Sequence, residues 1–402
     1  MNINRNKQLL QALAAAFKQK QNEVAYVNYL DTGTSIVTNL ENLHRGLATI
    51  NSYINKHNTV KPSSGMALYS CYNDPSFGLL GMSLAPAILR CGNTNPIVVG
   101  FPSILQNYAK LFESIVKSTG LFPNIKFTLG TKDFFSTSVD APEIELAVVF
   151  GEQWIYKYAE EWSKLKRSMI FYGPGNNASI ILKDADIRTA VKKTLDAAFI
   201  LSGQAAVCVN RCYVDNRIPE REIKQIFTEE LDKISFGTDK ENYVTPIKIK
   251  MLADIADSRV KQSVEAGAET LQYGISASDS GILINPSIVF EKTPQTKLMR
   301  EYHFAPVLPV SFIDFNDIAT QINNTDYGLY ASVWGNMHDI EVLKKEILKQ
   351  HIMVLENKSI LDLITPEYGY TGFWGGYKKS GFYFNKNTNW QPREGNVDIM
   401  IF

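Results

Sequence analysis

From Met66 to Glu356, short apolar runs bounded by Gly, Pro and Asn alternate with amphipathic helical stretches. That alternation restricts the chain to mostly parallel sheets covered by helices. IVVGF, IKFTLG and IELAVVFG read as strands, and WIYKYAEEWSKLK and residues 103–119 read as helices between or after them. A second series begins near residue 170 with SIIL, followed by the helical KDADIRTAVKKTLDAAFI and the strand NRCYVD. It continues through ILINPSIVF, PVLPVSF and YASVWG to IMVLEN, with helices such as REIKQIFTEELDKI interleaved. Ahead of both series, residues 5–30 and 38–57 predict helices joined by the turn LDTGT, and residues 79–90 predict another. The expected division is therefore 1–170 and 171–372, two α/β domains, with residues 373–402 returning as an aromatic-rich tail onto the first.

Composition narrows the function classes. Lys plus Arg and Asp plus Glu both total 41, so the formal charge is zero. That balance lacks the basic footprint of a nucleic-acid binder or a polybasic membrane binder. Four cysteines in 402 residues do not make a disulfide framework, and no pair has zinc-ligand spacing beside histidines. A reducing cytoplasm fits that usage. LLQALAAAF near the N-terminus imitates a signal-peptide core, but Leu9, Leu10, Leu13 and Phe17 recur at helical spacing into a charged segment. No apolar run approaches the roughly 18 residues of a membrane span.

Four segments, in order, resemble aldehyde dehydrogenases. KDADIRTAVKKTLDAAFILSGQ looks like that superfamily's DADLDxAV…GQ helix, and APVLPVSFIDFNDIATQINNTDYGLYASVWG like its GPVLPV…YGLAA stretch. FWGGYKKSGF is similar to PFGGxKxSG, and PREG to REGG. The resemblance implies a Rossmann-like nucleotide-binding domain, a catalytic-type α/β domain and an oligomerisation arm, here reduced. It implies a cysteine thiolate that attacks an aldehyde, hydride transfer to NAD or NADP, and a carboxylate that activates water.

The positions that carry this chemistry are substituted. The nucleophile of the resembled family stands two residues after the Gln of GQxC, and the ungapped match of Arg211 and Tyr213-Val214 puts Ala206 there. Counting back from Asp184-Ala185-Asp186 puts Tyr172 at the position of the general base, followed by Gly173-Pro174-Gly175-Asn176. A tyrosine with its ordinary pKa of about 10 is a poor base near neutrality. The resemblance also implies cofactor contacts at Tyr72, Gly100, Phe150, Gly151, Gly173, Tyr302 and Phe304. Among them, Gly100 stands near a family lysine, and Tyr302 stands where a ribose-gripping glutamate is expected, with Glu301 one position early. Glu152 follows Gly151 where phosphates would lie. Asn73, in YNDP, resembles the oxyanion-holding Asn of WNFP.

Each sharp reading has a bland counterpart. Cys208, two residues past Ala206, is either a relocated thiol or a small buried hydrophobe. Tyr172 is a catalytic acid or a cavity wall, and His303 a base or a satisfied core histidine. Asp184 and Asp186 suit a helix N-terminus, and no metal site is expected. Trp374, Tyr377, Phe382, Tyr383 and Phe384 line a pocket or close the seam between domains. The sequence therefore favours a pseudoenzyme that binds a small-molecule ligand or protein partner, with a homodimer allowed. The alternative is an NAD(P)-dependent aldehyde oxidoreductase or acyl-CoA reductase using Cys208.

Overall fold

The computed structural model describes residues 2–365, 367, 374–387 and 390–399, with the backbone alone at Trp374. Phe373 and Met400–Phe402, part of the tail expected over 373–402, lie outside the described residues.

The apolar runs form two sheets. The first contains β1 (Met66–Tyr69), β2 (Ile97–Phe101), β3 (Ile125–Leu129), β4 (Leu146–Phe150) and β5 (Ser168–Tyr172), all parallel. Their spatial order, β5-β4-β1-β2-β3, is that of a Rossmann-type sheet. β1, β2 and β5 are buried throughout, which suits the continuous apolar runs of a sheet covered on both faces. The second sheet uses β6 (Asn177–Ile181), β7 (Val209–Asp215) and β8 (Glu269–Leu271). A hairpin of β9 (Ile275–Ser278) and β10 (Gly281–Ile284) stands apart. The second sheet resumes with β11 (Ser287–Glu291) and β12 (Val307–Ile313). After the short β13 (Tyr327–Gly328) it ends with β14 (Tyr330–Trp334) and β15 (Met353–Glu356). Its order is β15-β14-β6-β7-β12-β11-β8, parallel except at β8.

The last strands tie back. β16 (Trp374–Lys378) bridges β13 and β18 (Gly395–Val397), and β17 (Gly381–Phe384) lies antiparallel on β5. There Phe382 and Phe384 pack with Phe171 and Trp390, with Phe171–Phe382 centroids at 4.9 Å. Near the N-terminus the elements differ from the expected pattern. The first long helix is two, Ile3–Gln19 and Gln21–Thr32, and the helix expected over 79–90 begins at Pro75 as a π-helical run to Leu84 before continuing as Ala85–Cys91. No helix among the described residues is long and apolar enough to cross a membrane.

Candidate functional site

In an open α/β sheet, ligands settle beyond the carboxyl ends of the strands where the strand order reverses. Here that point lies between β1 and β4, and the chain leaving each strand walls a cavity. Ser70–Asn73 leave β1, Gly151 and Glu152 leave β4, and Gly173 and Pro174 leave β5. The outer lobe has a volume of about 200 Å³ and the inner lobe about 70 Å³. Cys71, Asn73, Phe150, Tyr172, Gly173 and Ala206 line both lobes, which therefore adjoin along a shared wall.

The second domain supplies the far wall through the turn before β7. Leu201 and Ser202 take positive φ values of 52° and 55°, and Gly203 follows at 75°. That turn presents Ala205, Ala206 and Val207 to the inner lobe. Asn177 clamps it, its amide donating to the carbonyls of Ala206 at 2.9 Å and Cys208 at 2.8 Å. Ala206 thus presents a methyl group at the junction of the lobes. Tyr172 faces the same junction, its ring 4.9 Å from that of Phe150. Asn73, 5% exposed, adds an amide that makes no hydrogen bond to the described residues.

The expected site residues separate into three groups. Tyr72, Asn73, Phe150, Gly151, Tyr172, Gly173, Ala206 and Phe304 all line the cavity. Tyr302 does not. It borders an adjoining polar pocket of about 310 Å³, from which its hydroxyl donates to Glu152 at 2.6 Å. Gly100 and Cys208 line neither lobe. A Cβ on Gly100 would fall 2.4 Å from the ring of Phe134, so an aromatic ring fills the space of the missing side chain. Cys208 is fully buried among Ile200, Leu201 and Ala205, and its thiol donates to the Ile200 carbonyl at 3.4 Å. Burial pushes that thiol up to about 12, the pKa of an inert core cysteine.

Other expected groups have structural partners. Glu301 pairs with Arg259, and Asp186 caps the helix Ile187–Phe199. His303 is buried, with Nε2 at 2.7 Å from the Val307 carbonyl. In the Gly173–Asn176 turn, the Asn176 amide donates to Met299 and Thr325, both at 3.2 Å, so the turn anchors structure.

Three cavity residues escape a reading by family position. Cys71 is half-buried and lines both lobes; burial first, and Asp74 second, push its thiol far above the ordinary range. Asp74 lines the inner lobe, with burial holding its carboxyl up at about 6. Trp154 lies over Gly151, where a Cβ would fall 2.6 Å from the indole. The indole, braced against Tyr69 at 5.8 Å, occupies the approach that a pyrophosphate would need to that backbone. Glu152 adds negative charge beside it. No Lys, Arg or His lines either lobe among the described residues. The donor set therefore does not fit a dinucleotide in the usual mode.

The family comparison agrees with this architecture. The model of the "Aldehyde dehydrogenase family" matches residues 1–392. Lactaldehyde dehydrogenase of Escherichia coli (strain K12) is 26% identical over 322 residues, spanning 77% of this chain but only 64% of that enzyme. A Methanocaldococcus jannaschii lactaldehyde dehydrogenase is 23% identical, over 94% of this chain and 84% of the relative. Among solved structures, Escherichia coli lactaldehyde dehydrogenase superposes with a TM-score of 0.84 at 19% identity, over 99% of this chain and 87% of that one. An aldehyde dehydrogenase C mutant from Pseudomonas syringae, in complex with NAD+ and octanal, gives 0.82 at 20%, over 100% and 82%.

Proposed function

Because the chain belongs to the aldehyde dehydrogenase family, we propose that it keeps the family's cavity to bind a small organic molecule and has lost NAD(P)-dependent aldehyde oxidation through a thiol. The observation that carries this reading is the pair Ala206 and Tyr172. Both face the junction of the two lobes, at the positions where the family resemblance calls for nucleophile and base. A methyl group forms no thiohemiacetal, and a phenol, with an ordinary pKa of about 10, is a poor base for activating water near neutrality. The cofactor side supports the same reading, since Trp154 covers Gly151 and Glu152 is tied to Tyr302. Free cysteines throughout suit a cytoplasmic setting.

One observation favours a second reading. Cys71 is the thiol that lines the cavity among the described residues, so an active oxidoreductase would use it rather than Cys208. Its raised pKa weighs against it, because the thiolate is the nucleophile.

The test is formation of reduced nicotinamide over a panel of aldehydes with NAD or NADP, with thermal shift measured for both cofactors. We expect no turnover and no stabilisation by either cofactor, while small organic compounds raise the melting temperature. Turnover that disappears in Cys71→Ser or Cys208→Ser would sink the proposal.

A further inference from the structure

The two carboxyl groups at the cavity set its charge. Asp74 lines the inner lobe and Glu152 the outer, and no cationic side chain among the described residues faces either. Glu152 is committed to the Tyr302 hydroxyl at 2.6 Å. Asp74 has one hydrogen-bond partner: Oδ1 accepts from the Phe77 amide at 3.2 Å, capping the helical run Pro75–Leu84, while Arg45, which lines neither lobe, acts on it through its charge alone. Its other oxygen takes no hydrogen bond among the described residues. The surrounding wall is largely aromatic and apolar, with Phe77, Met82, Phe150, Tyr172 and Leu329. An ionised carboxylate in such surroundings is costly unless a cation accompanies it.

We propose that the cavity takes an organic ammonium ion, its charged head held by Asp74 and its alkyl part against Phe77, Phe150 and Tyr172. The carboxylate supplies a charge-assisted hydrogen bond or contact, and the ring faces attract the cation and bury its carbon. The free amide of Asn73, next in the chain, offers a further acceptor. Anionic ligands meet two like charges and no counter-charge in the cavity wall, Arg45 lying outside it. Neutral ligands leave the Asp74 carboxylate unpaired. The proposal rests on the reading of the cavity as a ligand site and names the chemistry of its occupant.

The experiment compares n-butylammonium, choline, n-butanol and butyrate by calorimetric titration and thermal shift at about pH 8, where a carboxylate is ionised. The variants are Asp74→Asn and Phe77→Leu. Asparagine caps a helix as well as aspartate, so Asp74→Asn removes charge and keeps the bond to the Phe77 amide. The expected result is that an ammonium probe binds at least tenfold more tightly than n-butanol, and butyrate not at all. Asp74→Asn should weaken the ammonium probe about tenfold or more while leaving n-butanol unchanged. Phe77→Leu, which preserves bulk without a ring face, should weaken the cation selectively. Equal binding of n-butanol and n-butylammonium, or unchanged ammonium binding in folded Asp74→Asn, overturns this inference and leaves the ligand-site reading standing. Binding of none of the four overturns both. If Asp74→Asn does not fold, Phe77→Leu decides: equal losses for n-butanol and n-butylammonium count against the proposal.

Discussion

At Gly203 the chain takes its third consecutive positive φ, 75°, and a Cβ there would sit 2.3 Å from the Ala305 carbonyl oxygen. Strain and contact coincide at the turn that presents Ala206 to the cavity. Gly203→Ala is expected to lose about 3 kcal/mol or more of unfolding free energy in urea, and a loss below about 1 kcal/mol would mean that the turn yields easily. The same turn sets an expectation for Ala206→Cys. The new thiol faces open cavity, so a disulfide reagent should modify it much faster than buried Cys91, Cys208 or Cys212. Aldehyde oxidation should not return, because Tyr172 and the Trp154-covered Gly151 remain. Recovered turnover in that single variant would show that the rest of the machinery is intact. Ala206 and Tyr172 were legible in the sequence because an ungapped register ties them to Arg211 and Asp184. Asp74, Cys71 and Trp154 were not, since their convergence depends on how the chain leaves β1 and β4. Nothing local in YNDP or EQW announces that meeting.

Elements with a clear period were the most legible. Strands β2, β4 and β12 announce themselves as apolar runs, and the helix Glu220–Leu231 through its spacing of buried Ile223, Phe227 and Leu231. The break at Lys20 has no glycine or proline to mark it. The run from Pro75 is apolar all round, which hides its period. Asp74-Pro75 was nevertheless a usable start signal, a capping side chain followed by proline at the first helical position. ILINPSIVF reads as one strand, yet Asn285-Pro286 divides it into β10 and β11, whose sheets differ. Long-range pairing is the least visible feature, and β17 is the case that matters most. Phe382, 2% exposed, stacks near Phe171 and meets Trp390 edge-on at 5.4 Å. Phe382→Ala is expected to cost about 3–5 kcal/mol, read as a lower urea midpoint with an unchanged slope. A cost under about 1 kcal/mol would mean that β17 contributes little to holding the first sheet.

Acid stability belongs to the whole molecule, because buried groups in different layers pull it in opposite directions. Burial, with Arg259 in support, pushes His303 down to about 4 from an ordinary 6.5. Burial, with Arg211 and Lys378, pushes His351 down to about 3. Burial also lowers His57. As pH falls below 6.5, the unfolded chain binds protons that these folded histidines refuse, so stability drops toward pH 4. The limit is about 1.4 kcal/mol per pH unit for each histidine. Asp74 acts in the other sense. Burial raises it to about 6 from 3.8, against the Phe77 amide and Arg45, so the folded state holds a proton that the unfolded state has released. Its favourable contribution is complete below 3.8 and is lost as pH rises through about 6. Between those values Asp74 offsets part of the histidine loss. Asp74→Asn, which mimics the protonated form, should therefore be more stable than the natural chain at neutral pH. That advantage should shrink as pH falls through about 6 and vanish near 4, so the variant loses stability more steeply with acid. Urea unfolding across this range decides the matter. Parallel stability curves for the two chains would show that Asp74 is ionised in the folded protein as readily as in water, and that the inner lobe is wetter than its walls imply.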